Sequence, residues 1–329
     1  MDWNGKRVMV TGAGGFIGSH LTEALVARGA DVRAFVHYNS RADAGLLGDA
    51  DPAVRDSLDV YFGEIKDPDS VRRAMEGIEV VFHLAALIGI PYSYVHPYDV
   101  VQTNVLGTMH VLLAARDLGV ERVVQTSTSE VYGSARYVPI DEKHPLQGQS
   151  PYSASKIASD KLAESFHLSF GLPISTVRPF NAYGPRQSAR AVIPTIITQA
   201  LTQDFVKLGA LSPRRDFTFV KDTARGFIAA AESEASIGDV VNLGNGQEIS
   251  IGELATLIVG IVGRDLPIRS DESRVRPEAS EVNRLLASNQ KAADLIGWRP
   301  QTSFAEGLSE TVAWMSRNLD LYRVGKYAV

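Results

Sequence analysis

Short apolar runs alternate with stretches of helical spacing through the first half of this 329-residue chain. Residues 8–10 form an apolar run that ends in a glycine-rich turn. Over 16–28 the apolar positions Ile17, Leu21, Ala24 and Leu25 recur at helical spacing, and Gly29 marks a stop. Apolar runs at 32–36, 80–84, 123–125 and 174–177 predict further strands, and 68–75, 104–117 and 152–170 predict helices. These strands are apolar on both faces. That is the pattern of an α/β fold, a parallel sheet covered by helices on both sides.

The texture changes from about residue 178, where prolines, arginines and aromatics increase. Helical spacing returns at 193–201, 223–231, 251–262 and 304–318, and 239–243 reads as one more strand. We read 1–178 as a dinucleotide-binding domain with a returning segment near 218–245, and 179–329 as a smaller, interleaved substrate-binding domain. The charge-dense stretch 269–284 reads as a loop, and no internal repeat stands out.

Lys and Arg number 33 against 38 Asp and Glu, a formal net charge of −5. A mildly acidic chain is a poor general binder of nucleic acid, because phosphate contacts need a basic face. With no cysteine there is neither a disulfide framework nor a thiolate metal site. No clustered His or carboxylate ligand set points to a metal. Apolar runs are too short or too interrupted to span a bilayer, and no secretory signal is seen, so a cytoplasmic enzyme without membrane attachment is expected.

Gly12-x-x-Gly15-x-x-Gly18 follows a predicted strand and opens a predicted helix at Phe16 and Ile17. Glycine is required where backbone turns tightly and approaches a pyrophosphate, and the helix that follows offers free N–H groups to the phosphates. The second strand ends His37-Tyr38-Asn39-Ser40-Arg41, without the carboxylate that usually holds the ribose of NAD. His37 and Arg41 suit a 2′-phosphate instead, so NADP is the first reading and NAD the alternative.

Tyr152 and Lys156 are four residues apart and share one face of a helix. Tyrosine titrates near pH 10, too high for a base at neutral pH. A lysine ammonium at ~4 Å favours the phenolate by about 4 kcal/mol at an effective dielectric of ~20, before desolvation. The expectation is that Lys156 brings Tyr152 toward working pH, so that it takes a hydroxyl proton as hydride leaves the same carbon, with Thr128 bonding the reacting oxygen.

Together these motifs resemble the extended short-chain dehydrogenase/reductases that act on nucleotide sugars. The resemblance includes His83-Leu84-Ala85-Ala86, Asn104 with Gly107-Thr108, the run from Thr126 through Gly133, and Arg178-Pro179-Phe180-Asn181-Ala182-Tyr183-Gly184-Pro185. It implies a Rossmann-like doubly wound sheet and a C-terminal domain that grips the nucleotide sugar. It also implies cofactor contacts at Glu64, Ile65, Leu84, Ala85, Ala86, Asn104 and Lys156. Ser93, Asn181, Arg186, Arg215 and Arg276 are the substrate-side candidates, the last two because guanidinium forks fit phosphate oxygens. Pairing of two subunits through the 104–117 helix and the helix of Tyr152 is implied as well.

Within that family, 4-epimerases usually carry a small or apolar residue where this chain has Glu130, whereas 4,6-dehydratases carry glutamate. Thr128-Ser129-Glu130 resembles the GDP-mannose dehydratase arrangement, and the acid role that an aspartate fills elsewhere falls to Glu130. Stretches 139–145, 149–153, 186–194 and 280–285 resemble the N-acetylglucosamine nucleotide 4,6-dehydratases of the legionaminic acid type, with UDP or GDP as the nucleotide. A 4-epimerase or a C4-oxidising decarboxylase on the same scaffold is the rival. A cofactor-binding regulatory protein without turnover is disfavoured by the presence of both Tyr152 and Lys156.

Overall fold

The computed structural model describes residues 1–271 and 282–322. Its first half alternates strand and helix: β1 (Arg7–Thr11), α1 (Phe16–Val26), β2 (Asp31–His37), α2 (Pro52–Asp56), β3 (Asp59–Gly63), α3 (Pro68–Met75) and β4 (Val80–His83). It continues through α4 (Ile90–Val95), α5 (Pro97–Val101), α6 (Gly107–Leu118), β5 (Arg122–Thr126), α7 (Pro151–Phe170) and β6 (Ile174–Pro179). The second half contributes β7 (Ala182–Tyr183), α8 (Val192–Thr202), β8 (Val206–Leu208), β9 (Arg214–Asp216), β10 (Thr218–Phe219), α9 (Val220–Glu232) and β11 (Val240–Leu243). After these come β12 (Glu248–Ser250), α10 (Ile251–Val262), β13 (Ile268–Ser270), β14 (Arg284–Leu285), α11 (Gln290–Ile296) and α12 (Phe304–Arg317).

Seven strands form one parallel sheet in the order β11-β6-β5-β4-β1-β2-β3. Alternate side chains of a strand enter opposite faces. Val8, Val10, Val80 and Phe82 therefore pack with Leu21 and Leu25 of α1 and Phe227 and Ile228 of α9. Met9 and Val81 face the other layer, with Val71 of α3, Val111 and Leu112 of α6, and Ala163 and Phe166 of α7. Burying a side chain such as Phe82 stabilises by about 1.5–3 kcal/mol. A one-residue slip would exchange the two layers, so register is fixed by both at once. The chain leaves β1 toward β2 and returns to β4 on its other side, which opens a crevice at the carboxyl ends of β1 and β4.

A separate core joins α8, α10 and α12 through Ile193, Ile197, Leu254, Ile258, Leu308 and Met315, with Tyr183, Phe217 and Phe219. The strand read at 239–243 is β11, which lies beside β6 in the main sheet. Three expectations change. Strand β3 carries no buried run, only half-exposed positions at the sheet edge, and periodicity misses it. Helix α6 begins at Gly107, because Gln102–Leu106 forms a wider π-helical turn. The stretch read as a loop over 269–284 contains Ile268–Ser270 paired with β8, and Arg284–Leu285 paired with β9. Residues 272–281, Arg276 among them, lie outside the described part. Among the described residues no helix is long and apolar enough to cross a membrane.

Candidate active site

The crevice starts at the glycine turn between β1 and α1. Gly12 has φ +72°, and a Cβ there would stand 2.9 Å from the Ala85 nitrogen. At Gly18 a Cβ would stand 2.1 Å from the Gly12 carbonyl oxygen, so α1 sits directly on the turn. At Gly15 a Cβ would meet just that carbonyl, at 3.1 Å, and the other side is open. Gly15 is the N-cap of α1 with no capping side chain, and no acidic residue stands in the first turn. Backbone N–H groups and the positive helix end are thus left for an anion beside Phe16 and Ile17. This bare backbone cradle fits a dinucleotide pyrophosphate.

The floor of the crevice is a hydrogen-bond chain that sequence reading overlooked. Thr11 Oγ1 accepts from the backbone N–H of Leu84 and Ala85, both at 3.1 Å. Its own proton is therefore directed to His83 Nδ1, 2.7 Å away. The Nε2–H of His83 then donates to Thr108 Oγ1 at 3.1 Å, and Thr108 donates to the Asn104 carbonyl at 2.6 Å. Burial pushes His83 down to about 3, with the Lys156 charge adding, so the ring is neutral as this chain requires. A polar residue closing an otherwise apolar buried strand was the available signal for His83.

Leu84, Ala85 and Ala86 remain partly exposed on the crevice wall. Asn104 is 1% exposed, and its amide is committed: Oδ1 accepts from Leu87 N, and Nδ2 donates to Leu87 O and Ser155 Oγ. These bonds tie the wall at Leu87 to Ser155 on α7. Ile65 is buried, with its carbonyl 3.1 Å from His110 Nδ1. At the end of β2, His37 Nε2 lies 3.2 Å from Glu64 Oε2, and both Arg41 and His37 are exposed.

Helix α7 starts at a Ser150/Ser153 capping box followed by Pro151, which sets Tyr152 in its first turn. Tyr152 is 7% and Lys156 4% exposed. Facing them, Thr128 caps the short turn Ser129–Tyr132, and its Oγ1 accepts from Glu130 N at 3.2 Å. Thr128 also hydrogen-bonds Tyr152. Burial pushes the Tyr152 phenol up; the Thr128 bond opposes this, and the charges of Glu130 and Asp160 add to it. Burial pushes Lys156 down to about 8, with Asp160 pulling it back up. The direction for Tyr152 is thus upward, opposite to the expected shift. Desolvation of a buried phenolate outweighs the help this arrangement supplies, and the Lys156 charge is felt at His83.

The substrate-side candidates separate. Ser93 is fully buried and donates to Ile90 O at 2.7 Å, so it does not line the crevice. Arg186, at φ +70°, turns away: Nη2 donates to Glu23 Oε1 at 2.7 Å and to Asp49 O at 3.3 Å, and Nη1 to Ser19 Oγ at 3.4 Å. A guanidinium so engaged with α1 clamps two parts of the chain rather than binding phosphate. Asn181 Nδ2 donates to Asp216 O at 3.2 Å, and Arg215, 8% exposed, donates to Arg214 O at 3.0 Å. Beside Arg214 a cavity of about 460 Å³ is bounded by Phe217, Asn245, Gln247, Glu248 and Phe304.

A parallel sheet with a glycine cradle at its switch point and a buried Tyr/Lys pair beside it defines a dinucleotide-dependent enzyme acting on a hydroxyl. Comparison with known proteins narrows this. The family model described as GDP-mannose 4,6 dehydratase matches residues 9–311, and the chain belongs to that family. A UDP-glucose 4-epimerase of Mycolicibacterium smegmatis is 35% identical over 313 residues, 93% of this chain and 97% of that protein. A dTDP-glucose 4,6-dehydratase of Streptomyces antibioticus is 35% identical over 322 residues, 94% of this chain and 92% of that protein. The crystal structure of a dTDP-glucose 4,6-dehydratase from Streptomyces venezuelae, with NAD bound, matches with a TM-score of 0.86 at 32% identity, over 96% of this chain and 99% of that one. The chain is an enzyme of the extended short-chain dehydrogenase/reductase class, with nucleotide-sugar dehydratases and epimerases as relatives, and the Streptomyces venezuelae neighbour holds NAD.

The cradle yields one expected outcome. Gly18→Ala forces a methyl into the Gly12 carbonyl, an overpacking cost of about 1–3 kcal/mol. Cofactor affinity measured by calorimetry should fall by roughly 10- to 100-fold; unchanged affinity would mean that the turn does not hold the pyrophosphate.

Proposed function

We propose that this protein is a nucleotide-sugar 4,6-dehydratase that converts UDP- or GDP-linked N-acetylglucosamine to the 4-keto-6-deoxy sugar. The reading is carried by Glu130, a carboxylate close enough to Tyr152 for its charge to act on the phenol, on a turn capped by the same Thr128 that bonds Tyr152. Preference for N-acetylglucosamine rests on the sequence stretches that resemble that group of dehydratases. In this reading the 179–329 lobe holds the nucleotide sugar.

A nicotinamide dinucleotide held on the glycine cradle would supply reversible hydride transfer, from sugar C4 and back to C6. Tyr152 takes the O4 proton while Thr128 orients O4. Because Glu130, Asp160 and burial all oppose the phenolate, Tyr152 depends on positive charge delivered beside it, and Lys156 is one source. The 4-ketone acidifies the C5 hydrogen. Glu130 removes that proton and delivers it to the departing C6 oxygen, so one water is lost; C5 regains a proton in the last step. Burial of Tyr152 and Lys156 keeps water from the unsaturated intermediate.

A 4-epimerase is the second reading, favoured by the equal 35% identity to a curated epimerase. Product mass after incubation with UDP- and GDP-N-acetylglucosamine separates the two. Loss of one water establishes dehydration, whereas an unchanged mass with inverted C4 establishes epimerisation. Glu130→Gln should cut dehydration by roughly 10²- to 10⁴-fold and leave reduced cofactor visible by absorbance, since C4 oxidation does not use it. Full dehydration by that variant would remove Glu130 from the chemistry.

NADP over NAD is part of the proposal. Arg41 is exposed near the end of β2, although Glu64 beside His37 works against a second phosphate. Arg41→Ala should weaken NADP binding severalfold and spare NAD; equal effects on both would favour NAD as the natural cofactor. We also propose that two subunits pair through the 104–117 helix and the helix of Tyr152, beside which Tyr98 and Val101 of α5 and Leu106 of the turn after it are exposed. Size-exclusion chromatography should read a dimer, and a monomer at working concentration would sink that assignment.

A further inference from the structure

Asp160 lies one helical turn beyond Lys156 on α7 and is 5% exposed. Its Oδ2 atom collects three donors: Ser127 Oγ at 2.8 Å, Arg178 Nη2 at 2.8 Å and Arg178 Nε at 3.1 Å. Oδ1 accepts no hydrogen bond among the described residues. Ser127 precedes Thr128, and its own N–H donates to Val177 O of β6 at 2.7 Å. Arg178, also on β6, donates from Nη1 to the Tyr132 hydroxyl at 2.9 Å, and that hydroxyl donates to Asn242 Oδ1 at 2.7 Å. One carboxylate thus joins α7, which carries Tyr152 and Lys156, to both ends of the turn that carries Thr128 and Glu130.

From this geometry we infer that Asp160 is a positioning residue for the reaction, holding the Thr128–Glu130 turn against Tyr152 and keeping a negative charge behind the Tyr152/Lys156 pair. The inference rests on the reading above, in which that pair is catalytic. The surrounding charges allow the role to be isolated. Lys156 is faced by Asp160 on its own helix and by neutral His83 from β4. Tyr152 is faced by Thr128 and Glu130 from the turn. Asp160 is faced by Arg178, which also bonds Tyr132, and by Ser127, and it borders a cavity of about 340 Å³ together with Glu142, Lys143, Asp239 and Lys291 from other segments. On α7 itself His167 and the Lys161–Glu164 pair, at 2.5 Å, line the same cavity. None of Thr128, Glu130, Tyr152 and Lys156 lines it.

The sign of the effect follows from charge. A negative Asp160 raises the pKa of Lys156 and of Tyr152. The reaction needs Tyr152 deprotonated, which sets the acid limb of the rate profile, and Lys156 protonated, which sets the alkaline limb. Removing the charge lowers both, so both limbs move to lower pH. A loss of hydrogen bonds alone lowers the rate and leaves the limbs in place.

The test is the pH dependence of kcat/KM for the cofactor-loaded enzyme with its nucleotide sugar. Asp160→Asn should move both limbs down by about one unit, whereas Ser127→Ala, which keeps the charge, should lower the rate and leave both limbs where they are. Asp160→Asn leaves the buried Arg178 facing an amide, which costs stability; the double substitution Asp160→Asn/Arg178→Gln removes both charges and should show the same downward movement, because Asp160 is the charge that acts on Lys156. Tyr152→Phe is the control. If it abolishes turnover while the Asp160 variants keep the wild-type limbs, the Asp160 role is overturned and the catalytic reading stands. If Tyr152→Phe retains turnover, the catalytic reading fails first.

Discussion

The site depends on a buried polar chain in which every member has one allowed proton position. Thr11 must donate to His83, because two backbone N–H groups occupy its lone pairs. That orders His83, which orders Thr108, which ends on the carbonyl of Asn104. The Asn104 side chain continues to Leu87 and to Ser155, the residue before Lys156. The path runs from the strand before the glycine turn across β4 and α6 to the helix of Tyr152 and Lys156. Unsatisfied polar groups at such depth are costly, so the chain holds these elements in one arrangement.

Burial also sets the chemistry of the pair beyond it. Desolvation raises Tyr152 and lowers Lys156, each toward its neutral form. The enzyme therefore starts from a neutral phenol and a lysine held charged with the aid of Asp160. The same low dielectric strengthens the pull of Asp160 and the push of Glu130.

The two halves meet through contacts at α1. His20 Nε2 lies 3.0 Å from the Pro185 carbonyl, and Arg186 bonds Glu23. Helix α9 packs on α1 through Phe227 and Ile228, and β11 returns to the sheet. The helix whose first turn forms the phosphate cradle is thereby fixed to the segment that follows β6. Arg186, expected on the substrate side, serves this junction from a backbone with φ +70°.

By itself the sequence determined the alternation of buried strands and amphipathic helices, the glycine cradle, and the helix face shared by Tyr152 and Lys156. These are short-range patterns, set by periodicity and by the conformational freedom of glycine. Edge strand β3 was passed over although Val60, Tyr61 and Phe62 form a short apolar run, half-exposed at the sheet edge, and the start of α6 was misread because a π-helical turn keeps nearly helical spacing. Only the tertiary structure decided which polar residues point at the crevice and which hold it open. Asn104, Ser93 and Arg186 bond within the protein, while His83, Asp160, Ser127 and Arg178 came into view. Apart from Ser93, whose side chain bonds within its own turn, these side chains bond partners 17 to 167 residues away along the chain. Local spacing carries no information about such pairs; they form because buried donors and acceptors must find one another once the sheet has closed.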